Sequence, residues 1–230
     1  TEGTAAAARL VFGRNIFNSR NLTFEPNVNM ATPPNYRLGP GDEVIIDVWG
    51  ANEASMRKTI SPEGNIMVNL LGPVYLNGMT VAEANSFLKK EFSKIYSQVS
   101  GTNPESEVRL TLGQIRSIQI NVMGEVAVPG TYMLSSLSTV FHALYRAGGV
   151  NNIGSLRSIR VMRGSNCIAD LDVYDYILKG KLLDDIRLME GDVIIVPPYE
   201  KLVDISGKVK RPMYYEMKKN ETLATLIKYA

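Results

Sequence analysis

Short runs of alternating apolar and polar residues predict that much of this chain is β-structure. In the clearest run, residues 44–49, three aliphatic side chains fall on one face, while Asp47 and Trp49 fall on the other. A period of two is typical of a strand that is covered on one side. The runs at 108–112 and 118–122 alternate in the same way. The pattern therefore predicts sheets that each bury one face.

Turn-forming residues divide these runs into separate strands. Gly39-Pro40-Gly41 predicts a tight turn directly before the first strand. Pro62 and Gly64 predict a hairpin turn between strands near 56–61 and 65–69. Further strands are predicted at 74–76, 158–163, 167–172 and 190–197.

Two segments have the period of amphipathic helices. The first begins at Thr80, which can form a capping box with Glu83. Its apolar stripe, expected to lie on a sheet, consists of Val81, Ala84, Phe87, Leu88, Phe92 and Ile95. The second helix runs from about Ser138 to Ala147 and is ended by Gly148-Gly149.

Residues 1–33 are predicted to be an extension rather than a domain, because no hydrophobic period is sustained there. A short helix is expected between Ala5 and Phe17, weakened by Gly13. Residues 21–34 are expected to be extended, since the segment ends in two prolines.

An internal repeat connects the second half of the chain to its last residues. Met123-Gly124-Glu125-Val126 and Ser206-Gly207-Lys208-Val209 align 83 residues apart without a gap. The same offset matches Val122 with Ile205, Pro129 with Pro212, Tyr132 with Tyr215, Thr139 with Thr222 and Ala147 with Ala230. Such a period indicates one structural unit used twice. The second copy is therefore expected to be incomplete. Its apolar residues Leu223, Leu226 and Ile227 are then expected to pack against the preceding module or against another copy of the chain.

Composition and charge indicate a globular protein without a strongly charged partner. Hydrophobic residues make up 45% and charged residues 21%, and the formal net charge is +2, which excludes a strongly basic nucleic-acid-binding surface. The basic run at 208–211, together with Lys218 and Lys219, is interpreted as a solvated face. Cys167, the only cysteine, excludes an intrachain disulfide and is expected to be a small core residue.

Targeting signals are not recognisable in these residues. The chain begins at Thr1 without a signal-like segment and is expected to be a mature or trimmed product. Its apolar runs are shorter than the ~20 residues of a membrane-spanning helix.

The motifs, taken in order, resemble those of bacterial outer-membrane polysaccharide export proteins, of which Wza-type capsule translocons are the best-known type. Those that resemble the polysaccharide-export domain lie at 36–49, 60–66 and 80–84, and those that resemble the leader of long family members lie at 12–17 and 23–26. Those that resemble a soluble-ligand-binding β-grasp (SLBB) module lie at 122–132, 147–149 and 190–197.

The resemblance implies an α+β fold divided into consecutive domains. An N-terminal extension at 1–33 would precede a β-rich polysaccharide-export domain at 34–116. A first SLBB β-grasp domain at 117–200 would then be followed by an incomplete second one at 201–230.

The same resemblance implies a role in export rather than catalysis. Family members form homo-oligomeric rings on the periplasmic side of the outer membrane, and the ring encloses a duct for capsular polysaccharide or exopolysaccharide. An inner-membrane polysaccharide copolymerase supplies the polymer. No cofactor, no metal and no nucleic acid are expected as partners.

Two features common in the family are not found in this sequence. Cys167 is internal and cannot be the lipidated cysteine that anchors many members, and no amphipathic C-terminal pore helix is recognised. The full-length protein is nevertheless expected to be a lipoprotein that reaches the outer membrane through parts outside this chain.

No catalytic residue is predicted, and the candidate site residues fall into two groups. The family-motif residues with expected structural roles are Gly39, Gly41, Asp42, Gly64, Gly124, Pro129, Gly130, Gly148, Gly149, Gly191 and Asp192. Possible sugar contacts are the aromatic residues Trp49, Tyr132, Tyr214 and Tyr215. Aromatic faces suit the C–H surface of sugar rings, but Tyr132 and Tyr215 occupy equivalent repeat positions, which favours packing roles.

Other candidate chemistry is weak. The glycines at 39–41 precede a strand rather than a helix, unlike a phosphate-binding loop. Asp170, Asp172 and Asp175, with the acidic pair 184–185, lack the spacing of a calcium loop. His142 is the only histidine and lies within a predicted helix.

Three functions of different classes remain open from the sequence. The first is a subunit of a polysaccharide conduit. The second is a β-grasp module that binds a discrete soluble ligand or sugar, without a channel role. The third is an enzyme that cleaves polysaccharide with two carboxylates about 5–10 Å apart. The conduit is the leading hypothesis, because no acidic pair has a catalytic context.

Overall fold

A computed structural model describes residues 10–18, 33–50, 53–69, 71–95, 106–180 and 186–230. The chain divides into two compact units. The first comprises residues Asn27–Ser117, and the second combines Thr1–Pro26 with Ile118–Ala230.

Within the described residues, the first unit contains five strands and one helix. They are β1 (Glu43–Gly50), β2 (Ala54–Thr59), β3 (Asn65–Val68), β4 (Gly72–Tyr75), α1 (Val81–Ser93) and β5 (Ser106–Leu112). Strands β2, β1 and β5 form an antiparallel sheet with β1 in the centre, while β3 and β4 form a separate pair. Val44, Ile46 and Val48 of β1 are buried, which confirms the predicted alternation.

Helix α1 packs beside β5, the edge strand of the three-stranded sheet. The predicted capping box is confirmed: the Thr80 hydroxyl accepts from the N–H of Glu83 at 3.1 Å, and the Glu83 carboxylate accepts from the N–H of Thr80 at 2.7 Å. The Asn85 amide donates to the carbonyl of Leu110 at 3.0 Å and accepts from its N–H at 2.7 Å. These bonds satisfy backbone groups that an edge strand otherwise leaves free.

The apolar stripe of α1 is narrower than predicted. Ala84, Leu88 and Phe92 are buried, but Phe87 is only half-buried and Ile95 is 37% exposed. Residues four apart stand in line on one helix face. A helix that meets the sheet at its edge buries this one line, and the flanking positions stay partly open.

The segment at residues 60–66 forms the predicted turn, but the strands on its two sides do not pair with each other. The N–H of Ser61 donates to the carbonyl of Asn65 at 2.9 Å, and Gly64 has a φ of 86°. The flanking strands, however, pair elsewhere: β2 with β1, and β3 with β4. Local turn chemistry identified the bend but not the strand partners.

The second unit contains the remaining elements. They are a 3-10 turn (Ile16–Asn18), β6 (Ser117–Gly124), β7 (Gly130–Ser135), α2 (Val140–Arg146), β8 (Ile159–Arg163), β9 (Asn166–Leu171), α3 (Val173–Lys179), β10 (Val193–Val196), β11 (Leu202–Asp204), β12 (Tyr214–Glu216) and α4 (Leu223–Tyr229).

Its main sheet is mixed, in the order β7-β6-β10-β8-β9. Strand β10 lies in the centre, parallel to β6 and antiparallel to β8. Ile120, Val122, Ile194 and residues of α2 such as Leu144 are buried in one core. The mixed α+β architecture agrees with the predicted fold class.

Three local predictions need correction. Cys167 is exposed rather than in the core, because β9 is an edge strand and its sulfur lies on the outer side, 3.4 Å from the carbonyl of Ala169. Residues 10–17 form a turn and the start of the 3-10 segment instead of a helix, since Phe12 and Phe17 are drawn into the core. Helix α3 was not predicted; Asp172 caps it by accepting from the N–H of Tyr174 at 3.0 Å. The extended segment expected at 21–34 falls largely outside the described residues.

The internal repeat is confirmed at the level of single hydrogen bonds. An offset of 83 residues carries α2 (Val140–Arg146) onto α4 (Leu223–Tyr229). The hydroxyl of Tyr132 donates to the carbonyl four residues earlier, and the hydroxyl of Tyr215 does the same at 2.9 Å. Each copy of the repeat also has one backbone hydrogen bond at the C-terminal end of its helix. The N–H of Val128 donates to the carbonyl of Ala147 at 2.9 Å, and the N–H of Arg211 donates to the carbonyl of Ala230 at 2.8 Å.

The second copy takes its cover from the first. Tyr215, Met217 and Leu226 are buried in the same core cluster as the first copy. Leu223 and Ile227 remain 68% and 57% exposed, although their equivalents in α2 are fully buried. The sheet that covers α2 thus has no counterpart over α4 among the described residues.

The same turn precedes the central strand of each unit. Gly41 and Gly191 adopt φ angles of 89° and 80°, which favour glycine. The next residue, Asp42 or Asp192, is fully buried and accepts from the N–H three residues earlier, at 2.9 and 2.8 Å.

Each buried aspartate also binds an arginine of its own unit. The Asp42 carboxylate contacts Arg116 and accepts from the hydroxyl of Tyr36 at 2.8 Å. The Asp192 carboxylate accepts two hydrogen bonds from Arg163, both at 2.8 Å. A buried charge needs such partners to offset desolvation.

We expect Leu88→Ala to destabilise the first unit by about 2–5 kcal/mol, because it leaves a cavity under α1. Phe87→Ala should cost less, since its ring is half-buried. Urea unfolding followed by Trp49 fluorescence measures both, and Lys89→Ala, at an exposed site, is the control. Equal losses for residues 87 and 88 would contradict the single buried line.

Asp192→Ala should destabilise the second unit by about 1–3 kcal/mol, since it leaves Arg163 and the part-buried N–H of Met189 without their acceptor. Circular dichroism in a denaturant series measures the change. Asp170→Ala removes an exposed carboxylate and should leave stability within about 0.5 kcal/mol of wild type. A similar loss in both variants would show that the turn is not the cause.

Candidate functional site

The family-motif residues occupy separate backbone positions rather than one site. Gly64 lies in the turn before β3, Pro129 and Gly130 lead into β7, and Gly148 with Gly149 follows α2. At Gly124 a side chain would meet the chain itself, because a Cβ there would lie 2.1 Å from the carbonyl oxygen of Val196. Their geometry explains folding and offers no reactive group.

The four aromatic candidates for sugar contact are likewise not brought together. Trp49 is 39% exposed in the first unit. Tyr132 and Tyr214 are half-buried in the second. Tyr215 is fully buried and stacks on Phe12 with ring centroids 5.2 Å apart. A sugar therefore has no access to Tyr215, and this assignment is corrected to a packing role.

Trp49 lies beside a shallow cavity of about 400 Å³ at the end of β1. Asp47, Glu53 and Ser55 line the same cavity. The Ser55 hydroxyl donates to Asp47 at 2.6 Å, which fixes that carboxylate. An exposed indole next to hydrogen-bond acceptors is a combination that suits a sugar ring.

A buried charge cluster joins the two copies of the repeat in the second unit. Arg157, 5% exposed, donates to Asp172 at 2.9 Å and to Glu221 at 2.7 Å. It also donates to the carbonyl of Glu216 at 3.0 Å. Its guanidinium lies over the ring of Tyr174, 4.4 Å from the centroid. The cation of the first copy is thus neutralised partly by the second.

Glu216 completes the junction from the other side. Its carboxylate accepts from the hydroxyl of Ser155 and from the N–H of Leu156, the latter at 2.7 Å. Its N–H donates to the hydroxyl of Tyr174 at 2.8 Å. The leader segment adds Arg14, which donates to the carbonyls of Asn151 and Gly154, both at 2.6 Å.

The electrostatics of the cluster follow from burial and pairing. Burial raises the pKa of Glu216. Burial would also raise the pKa of Glu221, but hydrogen bonds from Arg157 and Tyr229 hold it at about 2. Burial and the bond to Glu221 raise the pKa of Tyr229 to about 12. Glu221 therefore stays charged and holds Arg157 across the neutral pH range.

A cleft of about 550 Å³ opens beside this junction. Ser155, Arg157 and Glu216, all at most 5% exposed, form its buried polar part. Its charged lining also includes Arg160, Asp170, Glu200, Lys218 and Lys219, and its apolar lining includes Pro197, Pro198 and Met217. The cleft is more polar than the cavity that Leu10, Phe12 and Ile177 line in the same unit.

The sequence analysis did not single out Arg157, Glu216 or Glu221. The repeat places Glu216 and Glu221 opposite Met133 and Ser138 of the first copy, so the two acids break the repeat pattern. That break was a usable signal. Arg157 gave none, because an arginine before a strand is ordinary on a solvated surface.

Other polar candidates have local structural roles. Asp175 pairs with Lys179 at 2.5 Å, and Asp170 accepts from Ser158 at 3.1 Å. Nδ1 of His142 accepts from the N–H of Thr139 at 2.9 Å and so caps α2, and burial lowers the pKa of His142. The acidic pair at 184–185 lies outside the described residues.

Within the described ranges, no three of the histidine, cysteine, aspartate and glutamate side chains are grouped to hold a metal ion. The helices of that same part of the chain are too short or too polar to span a bilayer.

Comparison with family models matches three consecutive segments. Residues 30–111 match the polysaccharide biosynthesis/export protein model. Residues 119–196 and 202–230 each match an SLBB domain model.

Two curated relatives from Escherichia coli are similar over most of the chain. Both are named polysialic acid transport protein KpsD, and each is 28% identical over 216 residues. The match covers 94% of this chain but 37% of each relative. This chain thus spans little more than a third of the relatives that it matches.

A segment similar to the export domain, followed by two segments similar to SLBB domains, together with similarity to KpsD along nearly the whole chain, shows that this chain is similar to polysaccharide export proteins.

Proposed function

We propose that this chain is the periplasmic part of a translocon subunit whose ring conducts polysaccharide across the outer membrane region. Similarity to the export family supports the cargo class, and KpsD is named for transport of polysialic acid. The domains would lie at 34–116, 117–200 and 201–230. The full protein would be a lipoprotein that receives its polymer from an inner-membrane copolymerase.

One surface carries the ring proposal. The face of the five-stranded sheet that lies away from α2 carries a methionine-rich apolar strip of Met123, Met133, Met162, Val193 and Ile195, which Asn121 and Arg160 border. Met133 and Met123 are 61% and 41% exposed. Exposed apolar patches of this kind mark interaction surfaces. Only head-to-tail contacts close into rings of more than two subunits, so we assign this outer sheet face to one half of such a contact.

We expect Met133→Lys to prevent ring assembly of the full-length protein, because it places a charge in the outer sheet face. Light scattering across protein concentrations measures the assembly mass. Val128→Lys, which changes a 59% exposed residue in the loop before β7, is the control and should assemble normally. Maleimide labelling of the exposed Cys167 reports whether the same face is accessible to solvent. Unchanged mass in Met133→Lys, or assemblies with two-fold axes alone, would contradict the proposal.

Trp49 is our candidate for direct contact with the passing polymer. Its surface combines an exposed indole with acceptors for sugar hydroxyls, which suits weak and repeated contacts along a chain. Because Trp49 is the only tryptophan, its fluorescence reports binding directly. We expect a saturable change with maltoheptaose at millimolar concentration, and Tyr75→Ala, at a 53% exposed site, should leave it unaltered. No change up to the solubility limit of the sugar would remove Trp49 from the cargo path.

A conduit requires no chemistry on its cargo. Incubation of the protein with capsular polysaccharide should therefore yield no new reducing ends, and their appearance would favour a polysaccharide-cleaving enzyme instead. A second function, binding of a discrete ligand, is favoured by the cleft at the repeat junction, because its polar floor is buried and already ordered.

A further inference from the structure

We propose that the cleft at the repeat junction binds one acidic saccharide unit, with its carboxylate on Arg160 and Lys219. Sugar hydroxyls would donate to Asp170 and Glu200, and the C–H face of the ring would lie on Pro198. The proposal rests on the proposed function only in taking a saccharide as the ligand.

The floor of the cleft is built before any ligand arrives. Ser155 and Glu216 are hydrogen-bonded to each other, and Arg157 is held by two carboxylates and a carbonyl. Each is at least 95% buried. These groups cannot collapse into the cleft without breaking charge-assisted bonds. The cavity therefore keeps its shape, and binding costs little reorganisation.

The cations on the rim favour a carboxylate. Arg160 is exposed and makes no hydrogen bond or ion pair within the described part of the chain. Lys219 pairs with Glu200 at 3.2 Å, but both are more than half exposed, so this pair is weak. A planar guanidinium matches a carboxylate with two parallel bonds. Arg160 thus offers a free, geometrically selective anion contact.

The rest of the lining favours a sugar over a small inorganic anion. Asp170 and Glu200 can accept hydrogen bonds from the several hydroxyl groups of a sugar. Pro197, Pro198 and Met217 add apolar surface, which a hydrated anion does not use. A volume of about 550 Å³ is also in the range of organic ligands. Only a ligand with a carboxylate, hydroxyls and an apolar ring face uses all three.

Both copies of the repeat contribute residues to the lining of the cleft. Lys218, Lys219 and Glu216 come from the second copy, whereas Arg160 and Asp170 come from the first. A single copy would supply only half of the site. The junction therefore creates a binding surface that neither copy has alone.

The test is calorimetric titration of the 230-residue chain with three probes: trigalacturonate, the neutral maltotriose, and inorganic phosphate. We expect trigalacturonate to bind with one site and to weaken as salt rises, since exposed charges are screened. Maltotriose and phosphate should each bind about tenfold more weakly or not at all.

Arg160→Gln should weaken trigalacturonate binding about tenfold, because it removes charge-assisted hydrogen bonds to the carboxylate. Lys208→Gln, which removes an exposed cation of the same unit away from the cleft lining, should not. Circular dichroism verifies that both variants are folded. Equal losses in both variants, equal affinity for maltotriose or phosphate, or no binding of trigalacturonate would each overturn the proposal.

Polysaccharide export by the full-length protein separates this inference from the proposed function. If Arg160→Gln abolishes binding in solution while export continues, the cleft is confirmed as a saccharide site and the conduit still stands. If the cleft binds trigalacturonate but the full-length protein neither assembles nor exports, only the conduit proposal fails.

Discussion

One buried arginine joins the parts of the second unit. Arg157 leaves water almost completely, and its charge is offset by Asp172 from the first copy of the repeat and by Glu221 from the second. Desolvation of a guanidinium is tolerated only when its donors are paired in good geometry. Any shift between the copies would strand a buried charge, so this pairing fixes how the second copy is placed on the first.

The consequence is a repeat that does not fold as two separate modules. Phe12 of the leader stacks on Tyr215 of the second copy and meets Tyr174 of the first edge-on, 5.0 Å between centroids. The N–H of Phe12 also donates a hydrogen bond to the carbonyl of Tyr214 at 2.8 Å. Three segments that are distant in sequence thus share one core. A stack of this kind is well suited to a rigid wall, which is what a conduit subunit requires.

Two kinds of surface adjoin each other in the second unit. On one side lies a charged cleft with an ordered floor, and on the outer sheet face lies a methionine-rich apolar patch. The flexible, polarizable methionine side chain suits an interface that must adapt to a partner. Arg160 of the cleft lies opposite Ile195 in the sheet register, so in the proposed ring the saccharide site would border the assembly surface.

Local sequence rules predicted most of the elements. The glycine turn at Gly41, the capping box at Thr80 and the alternation of β1 depend on neighbouring residues, and the structure shows all of them. The repeat also allowed α4 to be placed from α2. Such features follow from periods, propensities and steric limits that act over a few residues.

The tertiary structure decided everything that depends on distant partners. It placed Cys167 on an exposed edge, left Phe87 half-buried, sent β2 and β3 to different sheets, and made Tyr215 inaccessible to a sugar. It alone brought Arg157 and Glu216 together, 59 residues apart in the chain. Burial and charge pairing depend on which surfaces pack together in the folded chain. The type of a residue alone therefore predicts neither.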